Sequence, residues 1–553
     1  MSLTRTASNG YVYIGGLAGY LAGTIENCEN AASVADYTMS KFHYLGGAAG
    51  IATTEAKVLK CVNTGKIIHT SIRNADGISE SNRDISMGGL IGESSAQLED
   101  LLNNGVVEMN TSIKTAYLGG VVGMVQNGSF KKCYSTSSTV SYNAPAGVEN
   151  KIANLGRYMY IGGLIGTLNI PLELDCSDMP VMCNLNTIPH DGNGSLHVGG
   201  MIGVAKKSLK LTSPKWDGSM TLNMSDGTIS KNDISLGGVV GLVESEETVI
   251  TGAETSGSIK IKGLSSCTWK VPTSVGGVVG SSKAGLSLLK CTNNANLEWE
   301  GTCAKSNDAG VVSSGGIIGR IDNGISTISE CKNNGTILNL HYHNNKWNAK
   351  SLLADRTGGI IGTYGYVKDG STYNLDTAAM ESGKITITDC ESTADILAYR
   401  GLVGGIAGYL YNAEVRNCVN SGGSSNKRNN CNAGGIAGAV EKSIIDGCQV
   451  NASLYGRAQG SCEYKVGGIV AYLYTDSSVS NCKYYGHITA GDNGSAVAYA
   501  GGIVAETQEG CSVSGCAFGG TILNETITAE NYLNYTVGNK AIEATNCSYW
   551  DGK

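Results

Sequence analysis

Proline is nearly missing from this chain, with six residues in 553, and phenylalanine is scarcer still, with three. Charge is thin as well: Asp, Glu, Lys and Arg make up 16% of the residues, and the formal net charge is −7. No basic stripe of the kind a nucleic-acid binder needs is present, nor a polybasic patch for anionic lipid. Apolar residues come in short bursts broken by Gly, Asn, Ser and Thr, so no stretch approaches the length of a membrane-spanning helix. The opening MSLTRTASNG lacks the apolar centre of a secretory leader. Its Met-Ser-Leu reads as a cloning remnant on a mature protein, with the first ten residues as remnant or N-terminal cap. No segment carries a sustained i, i+3, i+4, i+7 apolar stripe with caps at both ends, which removes amphipathic helices from consideration.

Glycine is what the chain has in excess, 78 residues without a Gly-X-Y period. Its organising stretch is YIGGLAG at 13–19. Equivalents recur at Gly46-Gly47, Gly88-Gly89, Gly119-Gly120, Gly162-Gly163, Gly199-Gly200 and Gly237-Gly238. They continue at Gly276-Gly277, Gly315-Gly316, Gly358-Gly359, Gly404-Gly405, Gly434-Gly435, Gly467-Gly468 and Gly501-Gly502, fourteen copies spaced 30 to 46 residues apart. A period in this range marks a solenoid or a propeller, whose repeats bury their apolar faces only against their neighbours. A second half follows each glycine motif, as in TIENCENAASV (24–34), VLKCVNTGKI (58–67), AEVRNCVNSGG (413–423) and SVSNCKYYGHI (478–488). These segments are rich in Val, Ile, Thr and Tyr and are punctuated by Gly and Asn, so they read as strands and turns.

A propeller blade needs four strands and three hairpin turns per period. The tightest repeats here supply two or three short strands, which fits coils stacked about 4.8 Å apart. The expected fold is therefore all-β: a right-handed parallel β-helix (β-solenoid) of about fourteen coils, roughly 65–70 Å long by that spacing. Its repeats span 1–524, and 525–553, which leave the period, are expected to cap the last open edge. The two residues after each glycine pair are apolar in all fourteen copies, as in Leu17-Ala18 and Ile317-Ile318. Strict alternation would send one of them outward, so either the chain bends inside the motif or the outer face is covered. Insertions at 142–160, 341–356 and 365–384 read as loops on one face, where solenoids often bind.

The alternation of Gly-Gly-apolar-apolar-Gly with Asn-Cys-x-Asn-x-Gly-x-apolar resembles the GLUG-motif repeats of bacterial surface and secreted proteins. The ending NCSYWDGK (546–553) is similar to the Cys-aromatic-Trp-Asp ending of many such arrays. The resemblance covers essentially the whole chain. It implies a large exported protein, adhesin-like or the non-catalytic part of a surface peptidase, and it carries over no catalytic residue. Long insertions and repeats without the cysteine depart from the usual pattern and leave the binding face open.

Twelve of the eighteen cysteines share one register: Cys28, Cys61, Cys133, Cys176, Cys291, Cys331, Cys390, Cys418, Cys448, Cys482, Cys516 and Cys547. Leu101 and Ala253 occupy the same place in other repeats, so the slot is an apolar core slot filled by an unpaired thiol. The off-register Cys183, Cys267, Cys303, Cys431, Cys462 and Cys511 are the better disulfide candidates, and Cys176 with Cys183 would close a local loop, though pairing cannot be read from spacing. No Cys-x-x-Cys is present, so no zinc ribbon is expected.

Elongated β-helices commonly present sugar-binding grooves, and the alternative reading is a carbohydrate-active β-helix enzyme, a polysaccharide lyase or hydrolase, on fold analogy alone. Glycoside hydrolysis needs two carboxylates about 5 or 6.5–9.5 Å apart. Glu173, Asp175 and Asp178 form the densest acidic group and read as a solvated turn. His341 and His343, two apart in an insertion, would share a strand face and read as a surface pair. No Ser/His/Asp motif, phosphate loop or His-Glu-x-x-His is present. No catalytic residue, cofactor or metal is expected.

The column two places before the glycine pair reads Tyr13, Tyr44, Ser86, Tyr117, Tyr160 and then His197, and its ring-bearing members are the candidate ligand-binding residues. The residue between them and the pair is apolar (Ile14, Leu45, Met87, Leu118, Ile161, Val198). Period-2 alternation puts it inward and Tyr13, Tyr44, Tyr117, Tyr160 and His197 outward as a strip, ending where the column turns to Ser235, Ser274 and Ser313. Such rings lie well against sugar faces. The sequence thus points to a non-catalytic, exported bacterial module, extracellular or at the cell surface. It would be an adhesin-like binder of a glycan or of a host or microbial surface protein, or a spacer within a larger surface protein.

Overall fold

The computed structural model describes residues 2–3, 8–38, 40–70, 83–111, 113–143, 158–188, 194–223, 228–229, 233–263, 268–269, 272–303, 311–343, 355–365, 367–369, 372–374, 382–399, 401–426, 431–458, 464–492, 498–524, 532–534, 537–538 and 544–549. Among them there are strands, turns and bends and no helix. The chain divides into two units, Met1–Val271 and Pro272–Lys553, and each is a parallel β-solenoid.

In the first unit the strands before the glycine pairs stack in chain order: Ser8–Gly15, Ser40–Gly46, Asp84–Gly88, Thr115–Gly119, Tyr158–Gly162, Leu196–Gly199 and Ile234–Gly237. Every pairing is parallel, and from Gly15 to Gly237 each glycine sits on the glycine of the next coil. The strands after the pairs form a second parallel ladder, from Ala18–Leu21 through Ala49–Ala52 and Ile91–Ser94 to Val240–Val243. The cysteine half of the repeat builds the remaining wall. The second unit repeats the plan, from Thr273–Gly276 to Ala498–Gly501 before the pairs and from Val279–Ser282 to Val504–Thr507 after them.

The two apolar residues after each pair are explained by a bend inside the motif. Gly47 and Ala48 form it, and the second ladder restarts at Ala49. In later coils both residues thereby turn inward: Leu90 and Ile91, or Ile317 and Ile318, are fully buried, whereas Leu17 of the first copy stays exposed. The third glycine permits a close crossing of backbones. A β-carbon on Gly50 would lie 2.7 Å from both Gly19 O and Ile14 N, a contact that backbone atoms cannot relieve.

The Asn-Cys step has its own geometry. The residue before the slot is left-handed at Asn27, Lys60, Asp100, Lys132, Lys290, Glu330, Asp389, Asn417, Asn481 and Asn546, with φ between 48° and 58°. Asn and Asp tolerate this region best, which accounts for the recurrent Asn; at Lys and Glu the conformation costs about 1–2 kcal/mol. The corner turns the next side chain inward, and the thiol donates to the carbonyl two residues back, as in Cys61 to Leu59 O at 3.1 Å and Cys482 to Ser480 O at 3.1 Å. None of the twelve in-register cysteines is in a disulfide, and ten of them are buried. In the second unit they form a continuous column, with Cys331 against Cys291 and Cys390, Cys418 against Cys390 and Cys448, and Cys482 against Cys448 and Cys516. Cys176 and Cys183 are also unpaired and buried, so the local disulfide loop does not form, and Cys511 is a buried free thiol as well. The side chains of Cys267, Cys303, Cys431 and Cys462 lie outside the described residues.

Two places after the cysteine slot an Asn points inward and ladders with its neighbours. Asn30 donates to Asn63 Oδ1 at 2.7 Å and Asn63 to Asn103 Oδ1 at 2.8 Å; in the second unit Asn293 donates to Asn333 Oδ1 at 2.8 Å. Each of these three donors also reaches a carbonyl two residues on, which satisfies the amides of Asn30, Asn63 and Asn293, whereas Asn333 Nδ2 has no partner among the described residues.

The segment 525–553, which leaves the sequence period, is described only in part. Its described residues continue the ladders: Tyr532–Asn534 pair with Tyr499–Gly501, and Ser548–Tyr549 with Ala517–Phe518, all in parallel. Asn546 takes the left-handed corner and Cys547 the slot. Most of the insertions at 142–160, 341–356 and 365–384 lie outside the described residues; within the last, Val367–Asp369 and Thr372–Asn374 form an antiparallel pair.

Candidate functional site

The strand Ser40–Gly46 shows how the candidate face is made. His43 and Leu45 turn inward and are buried, while Phe42 and Tyr44, which alternate with them, stay half-buried on the outer side. The in-register stacking of coils brings Tyr13 onto Tyr44, with ring centroids 5.4 Å apart and planes 20° from parallel. Tyr117 stacks on Tyr160 at 5.4 Å, and Tyr160 on His197 at 5.9 Å with planes 5° apart. Ser86 interrupts the column and turns its hydroxyl to Gly92 O at 2.7 Å.

Exposure falls along this column. Tyr13 is 37% exposed and Tyr44, Tyr117 and Tyr160 are half-buried, whereas His197 is only 3% exposed. The alternation that points His197 outward keeps it in the column register, stacked on Tyr160, but the side chain is covered and presents no surface.

The face is wider than the glycine register suggests. Tyr11 stacks on Phe42 at 4.8 Å and lies 6.1 Å from Tyr13, and Tyr158 lies 6.5 Å from Tyr160. The signal for this second column was the spacing: Tyr11 and Tyr13, Phe42 and Tyr44, Tyr158 and Tyr160 are two apart and share a strand face. Across from the tyrosines, the strands after the glycine pairs carry Tyr20, Ile51, Glu93, Met124 and Thr167 in one register. Tyr20 meets Tyr13 edge-on at 5.9 Å. This wall also closes along the unit, from Tyr20 at 60% exposed to Thr167 fully buried.

Electrostatics give the face a polar edge. Burial, helped by the negative charge of Glu93 nearby, pushes the Tyr44 phenol well up, and burial with Asp84 and Glu93 raises Tyr117 to about 12. Glu93 is itself raised by burial, against a hydrogen bond from Gln126. The phenols are therefore neutral donors at physiological pH beside a half-buried carboxyl. Lys206 lies 5.7 Å over the Tyr160 ring.

A second polar and aromatic cluster, on the other unit, was not read from the sequence. Arg356 lies 4.9 Å over the Tyr409 ring, and Tyr409 donates to Glu441 Oε2 at 3.0 Å. Tyr472 meets Tyr474 edge-on at 4.0 Å. Arg356 stands in register with Ser313, in the column that carries serine before it, so the glycine register was the available signal.

The acidic group at 173–178 is solvated. Glu173, Asp175 and Asp178 are exposed, and hydrogen bonds from the Ser177 hydroxyl and amide hold Asp175 below the usual carboxylate range. His341 and His343 end the strand Ile337–His343, and their side chains lie outside the described residues. Among the described residues one group could hold a metal ion, Asp36 with His43 and His69. No family model, curated protein or solved structure matches this chain.

Proposed function

We propose that this chain is a non-catalytic binding module of an exported, adhesin-like bacterial protein, and that it recognises a glycan through the aromatic face of its first unit. The observation that carries this reading is the in-register contact of partly exposed rings, Tyr13 on Tyr44 and Tyr117 on Tyr160, widened by Tyr11 beside Tyr13 and Tyr158 beside Tyr160. Rings spaced at the coil repeat offer flat apolar area to successive sugars, and neutral phenols with Glu93 offer hydrogen bonds to their hydroxyls. Tyrosine gives this area at little conformational cost, since it has two side-chain torsions to fix. The GLUG resemblance supports surface exposure and bacterial origin for the same module.

The test is a glycan array followed by titration with Tyr44→Ala/Tyr117→Ala. Binding of a polysaccharide, weakened at least about tenfold by the double variant with unchanged circular dichroism, is the expected outcome, as loss of two stacking rings costs on the order of 1–3 kcal/mol. Unaltered binding by a folded double variant moves the site to the insertions at 341–356 and 365–384. Release of reducing or unsaturated ends from the same polysaccharides overturns the non-catalytic reading in favour of a carbohydrate-active enzyme.

A further inference from the structure

Beneath the aromatic face the first unit buries three ionisable side chains together. Asp36 is 0% exposed, and His43 and His69 are 1% exposed each. His69 stands directly on Asp36 in the parallel ladder, one coil along, and His43 comes from the next strand of the same coil as Asp36. Both imidazoles aim Nδ1 at one carboxylate oxygen, Asp36 Oδ2, at 2.7 Å from His43 and 2.9 Å from His69. The other oxygen, Oδ1, accepts the Thr38 amide at 2.8 Å.

The His43 tautomer makes this arrangement informative. Its Nε2 lies 2.7 Å from Ser40 O, a carbonyl that can only accept, so Nε2 carries the hydrogen. The Ser40 amide at 3.2 Å from the same nitrogen is the longer and weaker contact. A neutral His43 then turns the lone pair of Nδ1 toward a carboxylate oxygen at hydrogen-bond distance. Two lone pairs do not face one another without a cation between them, and that cation is either a proton or a metal ion.

Two further observations favour the metal. A proton on His43 would satisfy Asp36 with one imidazole, yet a second is brought to the same oxygen from another coil. The Thr38 hydroxyl, fully buried and two residues from Asp36, has no hydrogen-bond partner. We propose that Asp36 Oδ2, His43 Nδ1 and His69 Nδ1 hold a structural divalent cation of the zinc type, with the Thr38 hydroxyl or a water as fourth donor. Mixed imidazole and carboxylate donors suit zinc, and the bond from His43 Nε2–H to a backbone carbonyl is the outer support that zinc-bound histidines usually have. Ligands of a tetrahedral zinc stand about 3.3 Å apart, so the two N···O contacts open by about half an ångström when the ion enters. Sequence pattern alone places no metal here, because the ligands follow no compact motif. The one trace is register: Asp36 and His69 each lie eight residues after their cysteines, Cys28 and Cys61.

The site would pin the strand that carries Tyr44, since His43 is its neighbour on the inward side. The test is metal titration of the full chain after chelator treatment. We expect uptake of about one equivalent of Zn²⁺ or Co²⁺ at micromolar metal, with Co²⁺ giving four-coordinate visible bands and no thiolate charge-transfer band. Saturating Zn²⁺ should raise Tm by several degrees, and His69→Gln should weaken uptake at least about 100-fold, beyond the loss typical of an outer-shell partner. No uptake by wild type, a thiolate band, or uptake undiminished in His69→Gln each overturns the site. If His69→Gln fails to fold, the wild-type stoichiometry and Co²⁺ spectrum still decide.

Discussion

The carboxamide of Asn63 lies against the Cα of Gly47, in the space a β-carbon would occupy, and the carbonyl of Gly89 closes the same space from the next coil. This contact joins the two halves of the repeat, since Gly47 belongs to the glycine motif and Asn63 to the cysteine motif. Gly89 with Asn103, Gly277 with Asn293 and Gly316 with Asn333 repeat it. The second glycine is therefore demanded by a side chain more than a dozen residues away in sequence.

Gly47→Ala should destabilise the protein by about 3 kcal/mol, because neither the Gly89 carbonyl nor a laddered amide can retreat without breaking hydrogen bonds. Gly23, whose β-carbon would meet nothing within 4 Å, is the control; Gly23→Ala should stay within about 0.5 kcal/mol. Denaturant unfolding of the two variants measures the difference, and equal stabilities would contradict the packing account.

Asn63→Ala removes a residue that donates to Asn103 and Gly65 and accepts from Asn30. Three polar groups, Asn103 Oδ1, Gly65 O and Asn30 Nδ2, then lose a partner each, and a loss of about 3 kcal/mol is expected. Asn104→Ala, one residue after the laddered Asn103 and exposed, should change stability by about 0.5 kcal/mol or less.

These contacts show what was legible from the residues and what was not. The coil was legible because the glycine pairs repeat in one register and the apolar residues after them never vary in character. The inward thiols were legible because Leu101 and Ala253 share their slot. The left-handed corner at Lys60 or Glu330 was not, since neither residue advertises positive φ. The pairing of Gly47 with Asn63 depends on how coils stack, which composition does not report. The Asp36–His43–His69 group was hidden for a similar reason: it unites three strands from two coils, and each member alone looks like an ordinary polar residue. His197 misled because a period-2 pattern gives the direction of a side chain but not what covers it.

Alkaline pH should destabilise the first unit well before its backbone is threatened. Burial raises the thiols of Cys133 and Cys176 to about 12, and that of Cys183 to about 11, from an ordinary value of 9.0. The folded chain thus holds these protons more tightly than the unfolded chain does. Their contribution is complete below pH 9 and is lost as pH rises from 9 toward 11–12, by about 1.4 kcal/mol per pH unit for each thiol. Unfolding free energies measured from pH 8 to 11 should fall along this slope, and Cys133→Ala should flatten it by one thiol's share. A flat profile would mean that these thiols are solvated or bridged.

The thiols themselves give the most direct check on the core. The column from Cys291 to Cys516 is buried, and each S–H is already engaged with a carbonyl, as in Cys390 with Thr388 O at 3.2 Å and Cys418 with Arg416 O at 3.4 Å. A thiol reagent needs an exposed thiolate, and a desolvated S–H in a hydrogen-bonded slot provides neither exposure nor charge. In the native protein at neutral pH, Cys28 and Cys547, the two of intermediate exposure, should therefore react first and the buried column hardly at all. In denaturant without reductant, all fourteen cysteines whose side chains are described should react. Mass spectrometry of the alkylated chain assigns each one. If denaturation alone releases only a few, adjacent coils are joined by disulfides, and the slot that holds Cys, Leu or Ala is not simply an apolar place in the core.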